Sequence, residues 1–382
     1  MKLKKLLLKK REVKLSQPKR IIISGGGTGG HIFPAIAIAN ALRAIDPTVD
    51  LLFVGAVGKM EMEKVPSAGY KIEGLPIAGF KRELSADNLS FPLKLVKSLN
   101  KAGSLIRKFK PDVAVGVGGY ASGPLLFMAS INGVPSLIQE QNSYPGITNK
   151  ILSKRAKKVC VAYEGMDRFF AKDKIIFTGN PIREDIKNIK NKKEEAGIYF
   201  GLDATKPTML IVGGSQGARS INKAILAGLP KLKMEGVQVL WQTGKTFITD
   251  AVQGLNEVGE SSMKAYDFIS RMDLAYALAD IVLARGGAST VSELCIVEKP
   301  AILVPLPTAA EDHQTKNCMA LVKRDAALLI KDDEAGTRLV SEAISLLKND
   351  ALKIKLSNNL KPLARPFAAR DIAEQVLLLA GN

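Results

Sequence analysis

Aromatic residues are scarce in this 382-residue chain, 5% of the total with a single tryptophan. So little ring surface gives few stacking platforms for nucleobases, and no nucleic-acid partner is expected despite a formal charge of +18. Only three cysteines occur, Cys160, Cys295 and Cys318. Their odd number and their spacing exclude a disulfide framework and a zinc knuckle, and they are expected to be buried, reduced thiols in a cytosolic setting. No run of about 18 uninterrupted apolar residues appears, so no segment is expected to cross a bilayer. Carboxylates do not cluster at metal-ligand spacing, so neither a metal nor another cofactor is expected. Histidine is rarer still, with His31 and His313 alone.

What the chain has is two sets of short apolar stretches, enough sequence for two domains that each bury a core. Residues 21–24, 51–54, 113–117, 136–139, 158–162 and 175–178 alternate with helical patterns. Their continuous apolar character marks parallel strands covered on both faces. The pattern restarts at 208–212 and continues through 238–242, 265–268, 281–284, 301–304 and 327–329. Two doubly wound, Rossmann-like α/β domains facing a central cleft are expected. The boundary falls at the turn triplet Gly179-Asn180-Pro181, giving a basic tail (1–20), a first domain (21–181) and a second (182–365). A closing helix within 366–382 is expected to cross back onto the first domain.

Both sets open with a strand, a glycine turn and a helix. Gly25 to Gly30 follow the first strand and lead to a helix at 34–42, with His31 in the loop where a side chain can reach a bound substrate. Such a turn places bare N–H groups beside a ligand, a geometry suited to a diphosphate. Gly25-x-Gly27-x-x-Gly30 also satisfies the dinucleotide fingerprint, but the second strand ends in Gly55-Ala56-Val57-Gly58 without the acid that holds a ribose. Its nearby acid, Asp50, lies at the wrong end. A nicotinamide enzyme is therefore disfavoured.

Charge is uneven. Residues 1–20 hold nine Lys or Arg against Glu12, residues 21–181 hold 20 against 12 acids, and 182–382 hold 26 against 24. The basic half is expected to face an anionic membrane surface, where each cation contributes on the order of 1 kcal/mol. Ile77-Ala78-Gly79-Phe80-Lys81-Arg82 and Phe91-Pro92-Leu93-Lys94-Leu95-Val96-Lys97 interleave apolar and basic residues as an interfacial helix does; a helix packed on its own domain is the alternative.

Six ordered motifs carry a specific resemblance: Gly26-Gly27-Thr28-Gly29-Gly30-His31, Gly118-Gly119-Tyr120-Ala121-Ser122-Gly123-Pro124, Glu140-Gln141-Asn142, Gly179-Asn180-Pro181-Ile182-Arg183, Gly213-Gly214-Ser215-Gln216-Gly217-Ala218 and Asp312-His313-Gln314. From about Arg20 to the C-terminus the chain resembles the MurG family, N-acetylglucosaminyltransferases of GT-B fold in peptidoglycan synthesis. The resemblance implies inverting transfer of N-acetylglucosamine from UDP-N-acetylglucosamine to the muramic acid C4 hydroxyl of lipid I, forming lipid II. It also implies a peripheral protein on the cytoplasmic face of the plasma membrane. A diacylglycerol glycosyltransferase, a non-hydrolysing UDP-sugar epimerase and a non-enzymatic basic adaptor are the rivals.

Site residues follow from the same resemblance. Donor binding is implied for Thr28, Gly29, Gly30, Asn142, Arg183, Ser215 on the diphosphate, Ile269 through its backbone at the uracil, Ala288, Ser289, Thr290, Val291, Ser292, Glu293 on the ribose and Gln314 on the sugar. Tyr120 is the acceptor residue. The base is His31 or Glu140, and the alternative for His31 is that it orients the loop or donates to a phosphate oxygen. His313 is expected to pack or cap. Three positions depart from the family's usual residues: Gln139 where many relatives have His, Gly287 where Ala is frequent, and Thr315 where a second glutamine is.

Overall fold

The computed structural model describes residues 18–77, 90–214 and 217–381. The basic tail up to residue 17, the segment 78–89 with Lys81 and Arg82, and Ser215 with Gln216 lie outside them.

The first sheet contains β1 (Arg20–Ser24), β2 (Asp50–Ala56), β3 (Lys71–Leu75), β4 (Val113–Gly116), β5 (Ser136–Glu140), β6 (Lys158–Val161) and β7 (Ile175–Phe177). All neighbours are parallel, in the order β3-β2-β1-β4-β5-β6-β7. The second contains β8 (Thr208–Val212), β9 (Gln238–Gln242), β10 (Met263–Tyr266), β11 (Ile281–Ala284), β12 (Ala301–Leu303) and β13 (Leu328–Leu329), in the order β10-β9-β8-β11-β12-β13. Strand order reverses between β1 and β4 and again between β8 and β11. Those are the two places where an open parallel sheet leaves a crevice at its strand ends.

Helices of the first domain are α1 (Gly29–Ile45), α2 (Glu61–Ser67), α3 (Phe91–Phe109), α4 (Ser122–Ile131) and α5 (Ile147–Ser153). Those of the second are α6 (Lys193–Phe200), α7 (Arg219–Met234), α8 (Ile248–Val258), α9 (Met272–Leu278), α10 (Ala288–Val297), α11 (His313–Val322), α12 (Ala335–Lys348) and α13 (Asp350–Leu360). The last helix, α14 (Ala368–Gly381), returns to the first sheet, where Ile372, Ala373 and Val376 are buried with Ile21, Ile38 and Leu42.

The apolar runs are continuous because each strand is covered twice. Ile21 and Ile23 pack toward α1 and α14, while Ile22 packs with Leu125, Leu126 and Ala129 of α4 on the opposite face. All three isoleucines are fully buried, each stabilising the sheet by about 1.5–3 kcal/mol.

The sequence pattern misses β3. Lys-Ile-Glu-Gly-Leu alternates polar with apolar and sits on the sheet edge, where only part of the strand is covered. Two boundaries also move: β10 lies two residues before the expected 265–268, and α1 starts at Gly29, well before the expected Pro34. The second half of the glycine cluster is thus the first turn of a helix.

Candidate active site

His31 is the third residue of α1, at the sheet's switch point. Its Nδ1 lies 3.1 Å from the Gly26 carbonyl and 3.4 Å from Thr28 Oγ1. A carbonyl only accepts, so this bond assigns the hydrogen to Nδ1 and leaves Nε2 as the basic atom. The ring rests on the loop after β4, where a methyl group on Gly118 would come within 2.6 Å of its Cδ2. Burial lowers the pKa of His31 from the ordinary 6.5, outweighing the Gly26 carbonyl that raises it. The imidazole is therefore neutral at pH 7.

The two glycine loops of the first domain interlock. Gly119 has φ +88° and a Cβ there would lie 2.3 Å from the Gly26 oxygen, so only glycine fits. Ser122 Oγ bonds both the Ser24 carbonyl (3.0 Å) and the Gly118 carbonyl (2.8 Å), pinning the second loop to β1. Tyr120, 49% exposed, hangs over Gly27 at the mouth. Thr28 precedes α1 and is exposed, and the amides of Gly29 and Gly30 begin that helix.

Glu140 sits differently. It is 1% exposed, and Oε1 accepts from the Asn142 N–H (3.0 Å) and Asn142 Nδ2 (3.3 Å) while Oε2 accepts from the Gly146 N–H (3.3 Å) and Asn149 Nδ2 (2.8 Å). Burial raises its pKa against these four bonds. Its oxygens clamp the loop after β5.

That loop meets the second domain. Asn317 Oδ1 accepts from the Ser143 N–H at 3.1 Å, and Asn317 Nδ2 donates to Asn142 Oδ1 at 3.2 Å. Asn180, in the linker, donates to the Gln141 carbonyl (3.0 Å) and to Ser292 Oγ (3.0 Å) and accepts from Gln139 Nε2 (3.1 Å). Neutral amide and hydroxyl contacts thereby join the two domains at this loop. Beside this bridge lies a cavity of about 750 Å³, lined in part by Ser143, Asn180, Tyr163, Phe169 and Arg324 and by no residue of the first domain's two glycine loops.

On the second domain's side, α10 begins after a glycine turn. Its first intrahelical bond runs from the Val291 N–H to Gly287 O at 2.9 Å, so the amides of Ala288, Ser289 and Thr290 have no partner within the helix. Gly286 allows α11 to approach: a methyl there would be 2.4 Å from Cys318 Sγ and 2.6 Å from the Gln314 carbonyl. Glu293, one turn into α10, accepts from Tyr276 Oη at 2.9 Å. Burial raises its pKa, and the nearby charge of Arg183 works the other way. Arg183 itself pairs with Asp185 at 3.6 Å.

Several expected donor residues have their side chains committed elsewhere. Val291 is 2% exposed in the second core, and the Ser292 hydroxyl is taken by Asn180. Ile269 is likewise buried and its N–H donates to Gln242 Oε1 at 2.9 Å, so its carbonyl is the backbone group left for a base. Gln314 accepts from the Leu306 N–H at 3.0 Å through Oε1, which leaves its amide hydrogens for a ligand. Ser215 lies outside the described residues. Two residues to which the sequence assigns no site role are structurally prominent: Asn180, which the sequence offers as part of the boundary turn and of a motif, and Glu61, whose carboxylate fills the space beneath the first glycine loop.

Comparison with known proteins agrees with this architecture. The Glycosyltransferase family 28 N-terminal domain matches residues 21–161 and the corresponding C-terminal domain matches 208–376. A protein of Parabacteroides distasonis described as a UDP-N-acetylglucosamine--N-acetylmuramyl-(pentapeptide) pyrophosphoryl-undecaprenol N-acetylglucosamine transferase is 54% identical over 94% of this chain and 97% of its own. One of Cytophaga hutchinsonii with the same description is also 54% identical, over 94% and 96%. The crystal structure of MurG from Acinetobacter baumannii superposes with a TM-score of 0.74 at 29% identity, covering 94% of this chain and all of that one. With both domain models matched and half the residues identical across nearly the full length, the chain belongs to the MurG family of glycosyltransferase family 28, on a GT-B fold.

Proposed function

We infer that the protein is an inverting glycosyltransferase that moves N-acetylglucosamine from UDP-N-acetylglucosamine to the muramic acid C4 hydroxyl of lipid I, forming lipid II in peptidoglycan synthesis. The observation that carries this is end-to-end similarity to transferases so described; a neutral histidine at the first sheet's switch point and the α10 amides without helical partners support it. An adaptor needs neither, and identity of this extent separates the chain from epimerases and diacylglycerol transferases.

In this reading His31 is the general base. Its Nε2 takes the hydroxyl proton as the C4 oxygen attacks the anomeric carbon, and the bond to the UDP oxygen breaks on the opposite face. Charge appearing on the diphosphate is met by Arg183, by the α10 amides of Ala288, Ser289 and Thr290, and by the turn holding Ser215. Val291 and Ser292 hold α10 in place behind them. Glu293 accepts from the ribose hydroxyls, the Ile269 carbonyl accepts from the uracil, and Gln314 and Asn142 bind the sugar. Thr28, Gly29 and Gly30 face the donor from above, and Tyr120 touches the acceptor. Glu140, with four donors already on it, acts by shaping the loop that carries Asn142.

The first domain is the membrane-facing one. Leu93 and Val96 on α3 are 59% and 53% exposed beside Lys97, a pattern suited to the anionic cytoplasmic face of the plasma membrane. Among the described residues, no helix is long and apolar enough to cross a membrane.

The test is transfer of labelled N-acetylglucosamine to a soluble lipid I analogue, in chelator, by wild type and His31→Ala. A loss of 10²- to 10⁴-fold in kcat with donor affinity retained is expected. Activity within a few-fold of wild type would move the base elsewhere, and no transfer by folded wild type would remove the acceptor assignment.

A further inference from the structure

Glu61 opens α2 and is fully buried, and among the described residues no cation is paired with it; two backbone amides donate to it. Oε2 accepts from the Gly27 N–H and Oε1 from the Ala56 N–H, both at 2.9 Å. The chain makes room for it with two glycines. A methyl group on Gly26 would stand 2.2 Å from Oε1, and one on Gly55 would stand 2.5 Å from Cγ. The Gly27 N–H belongs to the same peptide group as the Gly26 carbonyl, and that carbonyl is the one holding His31 Nδ1 at 3.1 Å. Carboxylate, peptide and imidazole therefore form one hydrogen-bonded chain.

We propose that Glu61 is a positioning residue for His31, acting through the Gly26–Gly27 peptide. The carboxylate polarises the peptide from its N–H end, and the carbonyl end becomes a stronger acceptor for Nδ1–H. The ring is thereby fixed in orientation and in the tautomer that leaves Nε2 bare. An acid directly on the imidazole does the same in Ser-His-Asp hydrolases; here a peptide stands between the two. This proposal rests on His31 being the base. The titratable groups whose fields reach the ring are Glu61 from α2 and His313 from the start of α11.

Glu61→Gln keeps the shape but offers one accepting oxygen to two N–H groups. On lipid I analogue its kcat is expected to fall roughly ten- to hundredfold while KM for UDP-N-acetylglucosamine stays within about twofold. The acid limb of kcat/KM should move to lower pH, because a negative charge that favours the imidazolium is gone. In the His31→Ala background the same substitution should cost nothing further. An unchanged kcat, or an equal loss in both backgrounds, overturns the proposal. If His31→Ala keeps wild-type kcat, the base assignment itself fails, a result distinct from either. Should Glu61→Gln not fold, ring ¹⁵N shifts of the wild type decide, assigned against His313→Gln since the chain has only two histidines. A protonated Nδ1 with bare Nε2 is expected; the opposite tautomer overturns the relay.

Discussion

β1 and β8 both run into glycines and then a helix, and the two turns are nonetheless filled in different ways. Behind β1 the Gly27 N–H donates to Glu61, the Gly26 carbonyl holds His31, and Gly119 of a second loop closes from the other side. Behind β8, Gly213, Gly214 and Gly217 turn into α7, and neither α7 nor the adjacent α10 has an acid in its first turn. One motif thus serves two purposes. A turn whose amide is occupied by the protein's own carboxylate becomes a rigid mount for a side chain, whereas a turn with no carboxylate on its described amides stays available to an anion.

The sharpest way to break this contrast is to add one methyl group to each turn. Gly119→Ala would set a Cβ 2.3 Å from the Gly26 oxygen at φ +88°, and is expected to destabilise the first domain by about 3 kcal/mol or more and to abolish transfer. Gly214→Ala has φ +79° but no described neighbour within 4 Å of the added methyl, so the expected cost is the backbone strain of about 1 kcal/mol. Melting curves and turnover of the pair measure both; equal losses would mean that the two turns are packed alike.

Next in size is the donor side. Removing the Glu293 carboxylate as Glu293→Ala should raise KM for UDP-N-acetylglucosamine roughly tenfold, about 1.4 kcal/mol, and leave the acceptor KM nearly unchanged. The reverse order would place the donor on the other domain. A smaller shift concerns pH. Burial holds His31 below 6.5, and the base works deprotonated, so kcat/KM should persist below pH 6.5 and fall only as pH drops through the lowered value. An acid limb above 6.5 would contradict that lowered value. The smallest effect is on membrane affinity. Lys94→Glu with Lys97→Glu should weaken binding to anionic vesicles several-fold at low salt, an effect that vanishes in high salt, whereas charge reversals on the nearly neutral second domain should do little.

Sheet membership and the two switch points were legible because Ile21, Ile22 and Ile23, or Met209, Leu210 and Ile211, are buried on both faces and so leave an unbroken apolar run. β3 was not, since an edge strand with Lys71 and Glu73 toward water has no such run. The motif glycines announced the loops, but not what fills them. The second strand's glycine-rich end closes at Gly58, three residues short of Glu61, whose placement depends on α2 turning back over Gly26 and Gly55. Glu140 illustrates the complementary gap: a carboxylate at a strand end has the sequence signature of a base, and only its four donors reveal a clamp.

The return of α14 to the first sheet has a consequence for how the protein is made. Ile372, Ala373 and Val376 complete a core that otherwise consists of residues before 181, so a ribosome has translated the entire second domain before the first can close its hydrophobic interior. The second domain lies between the two pieces in sequence and has its own cores. It is free to fold during synthesis while its neighbour waits with apolar surface uncovered, an interval in which the nascent chain is most exposed to aggregation and to chaperones.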